Sequence, residues 1–260
     1  MALLETRAVN VRFGGHQAVR DVDLAVEAGR ITGLIGPNGA GKTTMFNAIT
    51  GLQETAGGRV IFDDDDISRL APHKRARLGI ARTFQRLEVF GSMTARENIL
   101  TAAEFHRSWA RTKDDPRRIT DEIIDRIGIG SVAGSRVDAM PTGQARLVEL
   151  GRALATRPRA LLLDEPASGQ DDAETEAFAG LLLALAAEGM AILMVEHDVS
   201  LVMRVCAWIH VLDFGAILAV GTPEDIQKNK SVLAAYLGAA TEESGLEHVR
   251  VSNDANGGEP

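Results

Sequence analysis

Apolar and polar residues alternate through Ala8-Val-Asn-Val-Arg12 and again through Val22-Asp-Leu-Ala-Val26. A period of two puts every second side chain on one face, so both segments predict half-buried strands, paired antiparallel near the N-terminus. The pattern then changes. Ile31-Thr-Gly-Leu-Ile35 is almost continuously apolar, as a strand covered on both faces must be, and Met45-Phe-Asn-Ala-Ile-Thr50 behind it predicts the first turns of a helix. Gly58–Phe62 predicts another strand, Pro72–Leu78 a short basic helix, and Ala81–Phe84 a strand leading into Gln85. From Met93 to about Arg157 the apolar residues recur at helical spacing, as in Ile99, Ala102 and Ala103 and then Ile119, Ile123, Ile124 and Ile127. Beyond it, Arg159–Asp164 and Ala191–Val195 predict buried strands on either side of a helix over Asp172–Glu188.

Strands alternating with helices predict an α/β fold whose sheet is largely parallel and covered on both faces. The helical stretch interrupts that rhythm and predicts an insertion. The expected organisation is therefore a core over 1–86 and 157–238, a helical subdomain over 87–156, and a tail over 239–260. The tail has five acids against Arg250 and little periodicity, the composition of a solvated, disordered segment.

Composition narrows the class. With 260 residues the chain can bury a substantial core, and 45% hydrophobic with 25% charged residues is ordinary for an α/β protein. The Met1–Arg7 start lacks the basic-then-apolar pattern of a secretory signal, and no apolar run reaches bilayer length. The single cysteine, Cys206, cannot form an internal disulfide; it suits a reducing cytosol and reads as a small packed core residue. A net charge of −8 argues against nucleic-acid binding, which needs a basic footprint. Asp63-Asp-Asp-Asp66 reads as a solvated turn, because consecutive extended residues point to opposite faces and no His or Cys is nearby.

The chemistry is concentrated in Gly36-Pro37-Asn38-Gly39-Ala40-Gly41-Lys42-Thr43-Thr44. It lies between the strand at Ile31–Ile35 and the helix after it, the context a phosphate-binding loop requires. Glycines at 36, 39 and 41 allow successive N–H groups to point at phosphate oxygens, and the new helix adds its positive end. Lys42 would reach the terminal phosphates and the Thr43 hydroxyl would sit on Mg²⁺, so the motif predicts ATP or GTP binding. A buried strand, Ala160–Asp164, would deliver Asp164 to the Mg²⁺ shell through water and set Glu165 to polarise an attacking water. His197 and Gln85 each follow a core strand, placing an imidazole near the γ-phosphate and an uncharged amide near both metal and water.

Together Phe13, Gly36–Thr44, Gln85, Met140-Pro141-Thr142-Gly143-Gln144, Leu161–Pro166, Ala167–Asp171 and His197 resemble, in order and spacing, the ATP-binding cassette of ABC transporters. The resemblance runs from about residue 4 to residue 238. It implies a P-loop NTPase (RecA-like) core with an N-terminal antiparallel β-subdomain and the helical insertion. It further implies ATP and Mg²⁺ as ligands and a head-to-tail pair with a second ATPase subunit, in which the Met140–Gln144 signature acts in trans. Phe13 would stack on adenine, Asp171 would contact the opposite subunit, and Glu165, His197, Gln85 and Lys42 would carry catalysis. Transmembrane permease subunits, with a substrate-binding protein behind them, would place the chain peripherally on the cytoplasmic face of the plasma membrane.

Two positions depart from that pattern. Pro141 replaces the usual signature serine, removing a hydroxyl donor, and Gly169-Gln170 replaces the more usual small–Leu pair. Val11–Gly15, Ala81–Gln85, Met93–Asn98 and Gly221-Thr-Pro-Glu…Ala235-Tyr-Leu-Gly238 are similar to the branched-chain amino-acid importer ATPases, with urea and short-amide importers close by. Phe62–Gly79 is similar to the lipopolysaccharide-exporter ATPase, the competing reading. Soluble ABC ATPases form a third class, but they carry two cassettes or long coiled coils. A GTPase would need an Asn-Lys-x-Asp motif that this chain lacks. The segment from Arg86 to Glu97 is expected to receive a permease helix, with Phe90 lining the groove.

Overall fold

A computed structural model describes residues 2–236, so the tail expected over 239–260 lies outside the described residues. Strands β1 (Ala2–Phe13) and β2 (His16–Glu27) form an antiparallel pair longer than the alternation suggests. The register shifts between Thr6 and Val9, where Ala8 takes a left-handed φ of +46°. Such a bulge reverses which residues face inward, so one long strand reads in sequence as two short ones. Strand β3 (Ile31–Ile35) is wholly buried and leads into helix α1 (Lys42–Thr50). Next come β4 (Gly57–Phe62) and a two-residue strand β5 (Asp65–Asp66), closed by Asp63 and Asp64 at positive φ. All four aspartates are exposed, as a solvated turn requires.

Helix α2 (Pro72–Arg77) precedes β6 (Ile80–Arg82), which is shorter than the expected strand to Phe84. The chain leaves the sheet there because the Arg146 guanidinium takes the carbonyls of Phe84 and Gln85. The insertion holds α3 (Ala95–Ala110), α4 (Pro116–Arg126) and α5 (Thr142–Ala155). Thr94 and Glu97 form a reciprocal capping box at the start of α3. Then follow β7 (Ala160–Asp164), α6 (Asp172–Ala187) and β8 (Ala191–Val195). Helix α7 (Val199–Val205), the hairpin β9 (Trp208–Asp213) with β10 (Ala216–Gly221), and α8 (Pro223–Lys228) were not marked by periodicity. Residues 230–236 are helical.

The strands make two sheets, one in the order β2-β1-β4-β5 and one in the order β10-β9-β3-β8-β7-β6. In the second, β9, β3, β8, β7 and β6 pair in parallel, and only the edge strand β10 is antiparallel. Alternate residues of its central strands enter different cores. Leu161, Leu163, Ile192 and Met194 pack toward the helical insertion and α6, whereas Ala160, Leu162, Ala191 and Leu193 pack toward α1 and the first sheet. Both faces are covered, which is why these strands read as unbroken apolar runs. Cys206 is buried in the first of these cores, and burial pushes its thiol up to about 12, leaving it a packing residue.

Candidate active site

The loop between β3 and α1 needs glycine for two separate reasons. Gly36 has φ +152°, and a side chain there would collide with the Leu212 carbonyl on β9. Gly41 has φ +103° at the start of α1, and a Cβ would lie 2.6 Å from the Ala18 carbonyl oxygen on β2. The two sheets thus press on the loop from either side. Ala40 is buried, while Asn38, Gly39 and Thr43 are exposed. Lys42 is buried, and its Nζ donates to the carbonyls of Gly36 at 2.7 Å and Pro37 at 2.9 Å. Burial lowers its pKa, and the carboxylates of Glu165 and Asp164 pull it back.

Parallel strands deliver the other groups to the same edge. Glu165 follows β7 with φ +50°, a left-handed conformation unusual outside glycine and common where a site stores strain. Its backbone N–H is fixed by Val195 of β8 at 2.9 Å. Gln85 Nε2 lies 3.1 Å from both Glu165 carboxylate oxygens, and His197 Nε2 lies 2.8 Å from one of them. A cleft of about 460 Å³ is lined by Phe13, the loop from Asn38 to Thr44, Gln85, Glu165 and His197. Phe13 is half-exposed at its wall. The fold therefore gathers the phosphate loop, the strand-end acid, the amide and the imidazole from segments far apart in sequence.

Asp164 sits behind this cleft, buried and ion-paired to Arg82 at 2.7 Å, and its other oxygen, Oδ1, has no hydrogen-bond partner. The Arg82 pairing was not legible in the sequence. Neither was Glu196, whose buried carboxylate accepts the N–H groups of Ala167 at 2.8 Å and His197 at 2.9 Å. Burial raises its pKa, the backbone N–H groups of Ala167, Asp198 and His197 lower it, and the nearby Glu165 charge raises it again. Its carboxylate ties the loop after β7 to the loop that carries His197.

The signature segment is elsewhere. Met140 to Gln144 do not line the cleft, and Pro141 caps α5 without a side-chain hydrogen bond, leaving Thr142 exposed. Asp171 is the N-cap of α6, exposed, and bound in a capping box to Glu174. The Glu174 carboxylate fills the space beside Gly143, where a Cβ would lie 2.8 Å from its oxygen. Signature and Asp171 loop are therefore braced against each other within one subunit, apart from that subunit's own phosphate loop.

A second cavity of about 350 Å³ separates the core from the insertion, walled by Leu52, Pro72, Ala76, Phe84, Ala102 and Arg152 among others. Phe90, expected to line the groove of the Arg86–Glu97 segment, is not part of this cavity's wall and is partly exposed. Its ring packs under the Arg152 guanidinium at 4.5 Å, and its N–H donates to Asn98.

The family described as ABC transporter matches residues 19–168. The chain belongs to the ABC transporter family. The family described as branched-chain amino acid ATP-binding cassette transporter also matches, over residues 216–242. Among curated relatives, the high-affinity branched-chain amino acid transport ATP-binding protein BraF of Pseudomonas aeruginosa is 39% identical over 251 residues, covering 92% of this chain and 98% of BraF. LivG of Escherichia coli, described in the same words, is 37% identical with the same coverage. The lipopolysaccharide export system ATP-binding protein LptB of Haemophilus influenzae is 34% identical over 238 residues. A nucleotide-free ATP-binding cassette of an ABC transporter superposes with a TM-score of 0.81 at 29% identity, covering 91% of this chain and 99% of its own. An ATP-binding cassette in its ADP conformation gives 0.80 at 29% identity, covering 92% of this chain and 99% of its own.

This ABC transporter ATPase has the P-loop fold of its solved relatives and is the ATP-binding, ATP-hydrolysing subunit of a transporter. Among its described residues, no helix is long and apolar enough to cross a membrane.

Proposed function

We propose that this ATPase powers import of branched-chain amino acids or similar small solutes from the cytoplasmic face of the membrane. The supporting observation is the match of residues 216–242 to the branched-chain cassette family, a region that takes in β10, α8 and the helical segment with Tyr236. The export relative is the less similar of the curated proteins compared, which favours import over lipid export. In this reading a substrate-binding protein and the permease read the cargo, and the ATPase supplies only the work.

Hydrolysis proceeds by in-line attack of water on the γ-phosphorus, forming the new P–O bond as the bond to the ADP oxygen breaks. Glu165 accepts the proton of the attacking water, and His197 and Gln85, each within hydrogen-bond distance of the Glu165 carboxylate, hold it in position. Lys42 places its ammonium against the β- and γ-phosphates, and the N–H groups of Gly39 to Thr44 cradle them. Phe13 offers its half-exposed ring to adenine. Thr43, Gln85 and the unpartnered Oδ1 of Asp164 form an all-oxygen donor set that fits Mg²⁺ and would hold it through water on the Asp164 side. Bound there, the ion would neutralise charge on the β- and γ-oxygens.

The separation of Met140–Gln144 and Asp171 from the cleft supports a head-to-tail dimer in which a second ATPase subunit completes each site. Pro141 brings no hydroxyl, so the backbone N–H groups at the start of α5 and its positive end carry the contact to the γ-phosphate. The cavity beside Leu52, Pro72 and Ala102 is the seat for a permease helix.

Purification from native membranes in mild detergent, with mass spectrometry of the co-purifying chains, tests the assignment. Two permease-like proteins encoded beside a solute-binding protein are expected. A lipid-export permease pair would replace import with export.

A further inference from the structure

Arg82 is the last residue of β6, and its side chain is 5% exposed. One terminal nitrogen donates to Asp164 Oδ2 at 2.7 Å and the other to Asn47 Oδ1 at 2.5 Å. Its guanidinium lies over the rings of Phe46 at 5.3 Å and Phe84 at 4.8 Å, which fix its plane. Asn47 stands one helical turn beyond Thr43 on α1, and Asp164 ends β7. Two of the three groups assigned to metal binding, Thr43 and Asp164, thus belong to separate elements, and one buried cation joins those elements. Asp164 is left with a single uncommitted oxygen, Oδ1, buried and without a partner. An unpartnered carboxylate oxygen in the interior is costly, and it persists where function uses it. Arg82 also forms part of the wall of the cavity between core and insertion.

We propose that Arg82 is the positioning residue of the metal half-site. By holding Asp164 Oδ2 and Asn47 Oδ1 together it sets the spacing of Asp164 from Thr43 and presents Oδ1 alone to the magnesium shell, and it makes the cavity wall and the metal half-site share one side chain. The inference rests on the Mg²⁺–ATP reading above. Lysine could not replace it fully, because a single ammonium on a flexible stem lacks the planar fork that spans two acceptors.

The test is equilibrium binding of the fluorescent analogue TNP-ATP to the full chain, without Mg²⁺ and across a MgCl₂ titration. Arg82→Gln is expected to leave Mg²⁺-free binding within about twofold of wild type and to raise the Mg²⁺ midpoint about tenfold, as loss of an outer-shell partner does elsewhere. Arg82→Lys should recover part of that shift. Asn47→Leu keeps the Arg82–Asp164 pair but frees its other hold; it should raise the midpoint about threefold, and it serves if Arg82→Gln does not fold. A wild-type midpoint in either Arg82→Gln or Asn47→Leu overturns the proposal, as does an equal loss of Mg²⁺-free binding. Thr43→Ala separates the two readings: if it too leaves the Mg²⁺ midpoint unchanged, the Mg²⁺–ATP assignment fails, whereas a shift in Thr43→Ala without one in Arg82→Gln rejects the role of Arg82 alone.

Discussion

The Gln85 amide nitrogen lies 3.1 Å from each carboxylate oxygen of Glu165, across 80 residues of sequence. Glu165, the acid proposed to activate water, is therefore held by the loop that follows β6. That loop is itself held by α5: Arg146 donates to the Phe84 and Gln85 carbonyls, and Glu149 accepts the N–H groups of Phe84 and Glu88. Arg146 and Glu149 form a buried ion pair at 3.1 Å, so a continuous chain of polar contacts runs from α5 through the Gln85 loop to Glu165.

Replacing Glu165 by Gln keeps the hydrogen bond from Gln85 possible but removes the proton acceptor. Turnover is expected to fall on the order of 10²–10⁴-fold while ATP still binds. Phosphate release would measure the first effect, and an ATP-dependent shift to dimer on size-exclusion chromatography the second. Full turnover by this variant would take the base role away from Glu165.

Phe13 is half-exposed, so its removal should touch binding rather than folding. Phe13→Ala is expected to weaken ATP binding by roughly three- to tenfold, the range of an aromatic contact, and Phe13→Tyr to stay within about twofold. Calorimetric titration with ATP decides it; an unchanged affinity in Phe13→Ala would mean the ring does not meet adenine.

Arg75 is the reverse case, a cation whose work is structural. It is buried, and it donates to the carbonyls of Ala48 and Ile49 at the end of α1 and to those of Leu70 and Ser68. The Ala48 carbonyl also accepts the Gly51 N–H, while the other three lie at a helix end and a turn, where carbonyls lack intrinsic partners. Arg75→Met is expected to cost about 2–4 kcal/mol in urea unfolding, with Arg75→Lys recovering only part. A loss under about 0.5 kcal/mol, the range of a neutral surface change, would show that water replaces it.

His210 gives the fold an acid limit. It is buried on β9, neither ring nitrogen makes a hydrogen bond of ordinary geometry, and burial pushes its pKa down to about 4 against a slight upward pull from the Ala25 backbone. In the unfolded chain the ring titrates near 6.5, so between about 4 and 6.5 the unfolded state binds more protons. Stability from this group is fully present above 6.5 and is lost as pH falls toward 4, by an amount on the order of 3 kcal/mol. His210→Leu should flatten that part of the urea-midpoint profile; a profile as steep as wild type would place the acid sensitivity in other groups.

The phosphate loop, the parallel sheet and the inserted helices were legible in the sequence because each is written in contiguous residues. Gly36 to Thr44 carry their own backbone requirements, and the apolar runs at Ile31–Ile35, Ala160–Asp164 and Ala191–Val195 announce strands covered on both faces. The edge hairpin Trp208–Gly221 gave no such signal. The residues of β10 are mostly half-buried, and an edge strand takes its place from pairing with β9 rather than from a pattern of its own.

Sequence by itself determined that the chain carries an ATP-binding loop between a strand and a helix. Only the tertiary structure decided what holds the site residues in place. Arg82 on Asp164, Glu196 on the loops of Ala167 and His197, Arg146 on the Gln85 loop, and the Leu212 carbonyl against Gly36 all join segments distant in the chain. In sequence a buried arginine is indistinguishable from a solvated one. Its partners are chosen by the packing of sheets and helices, and the cost of burying an unpaired charge is what makes that choice strict.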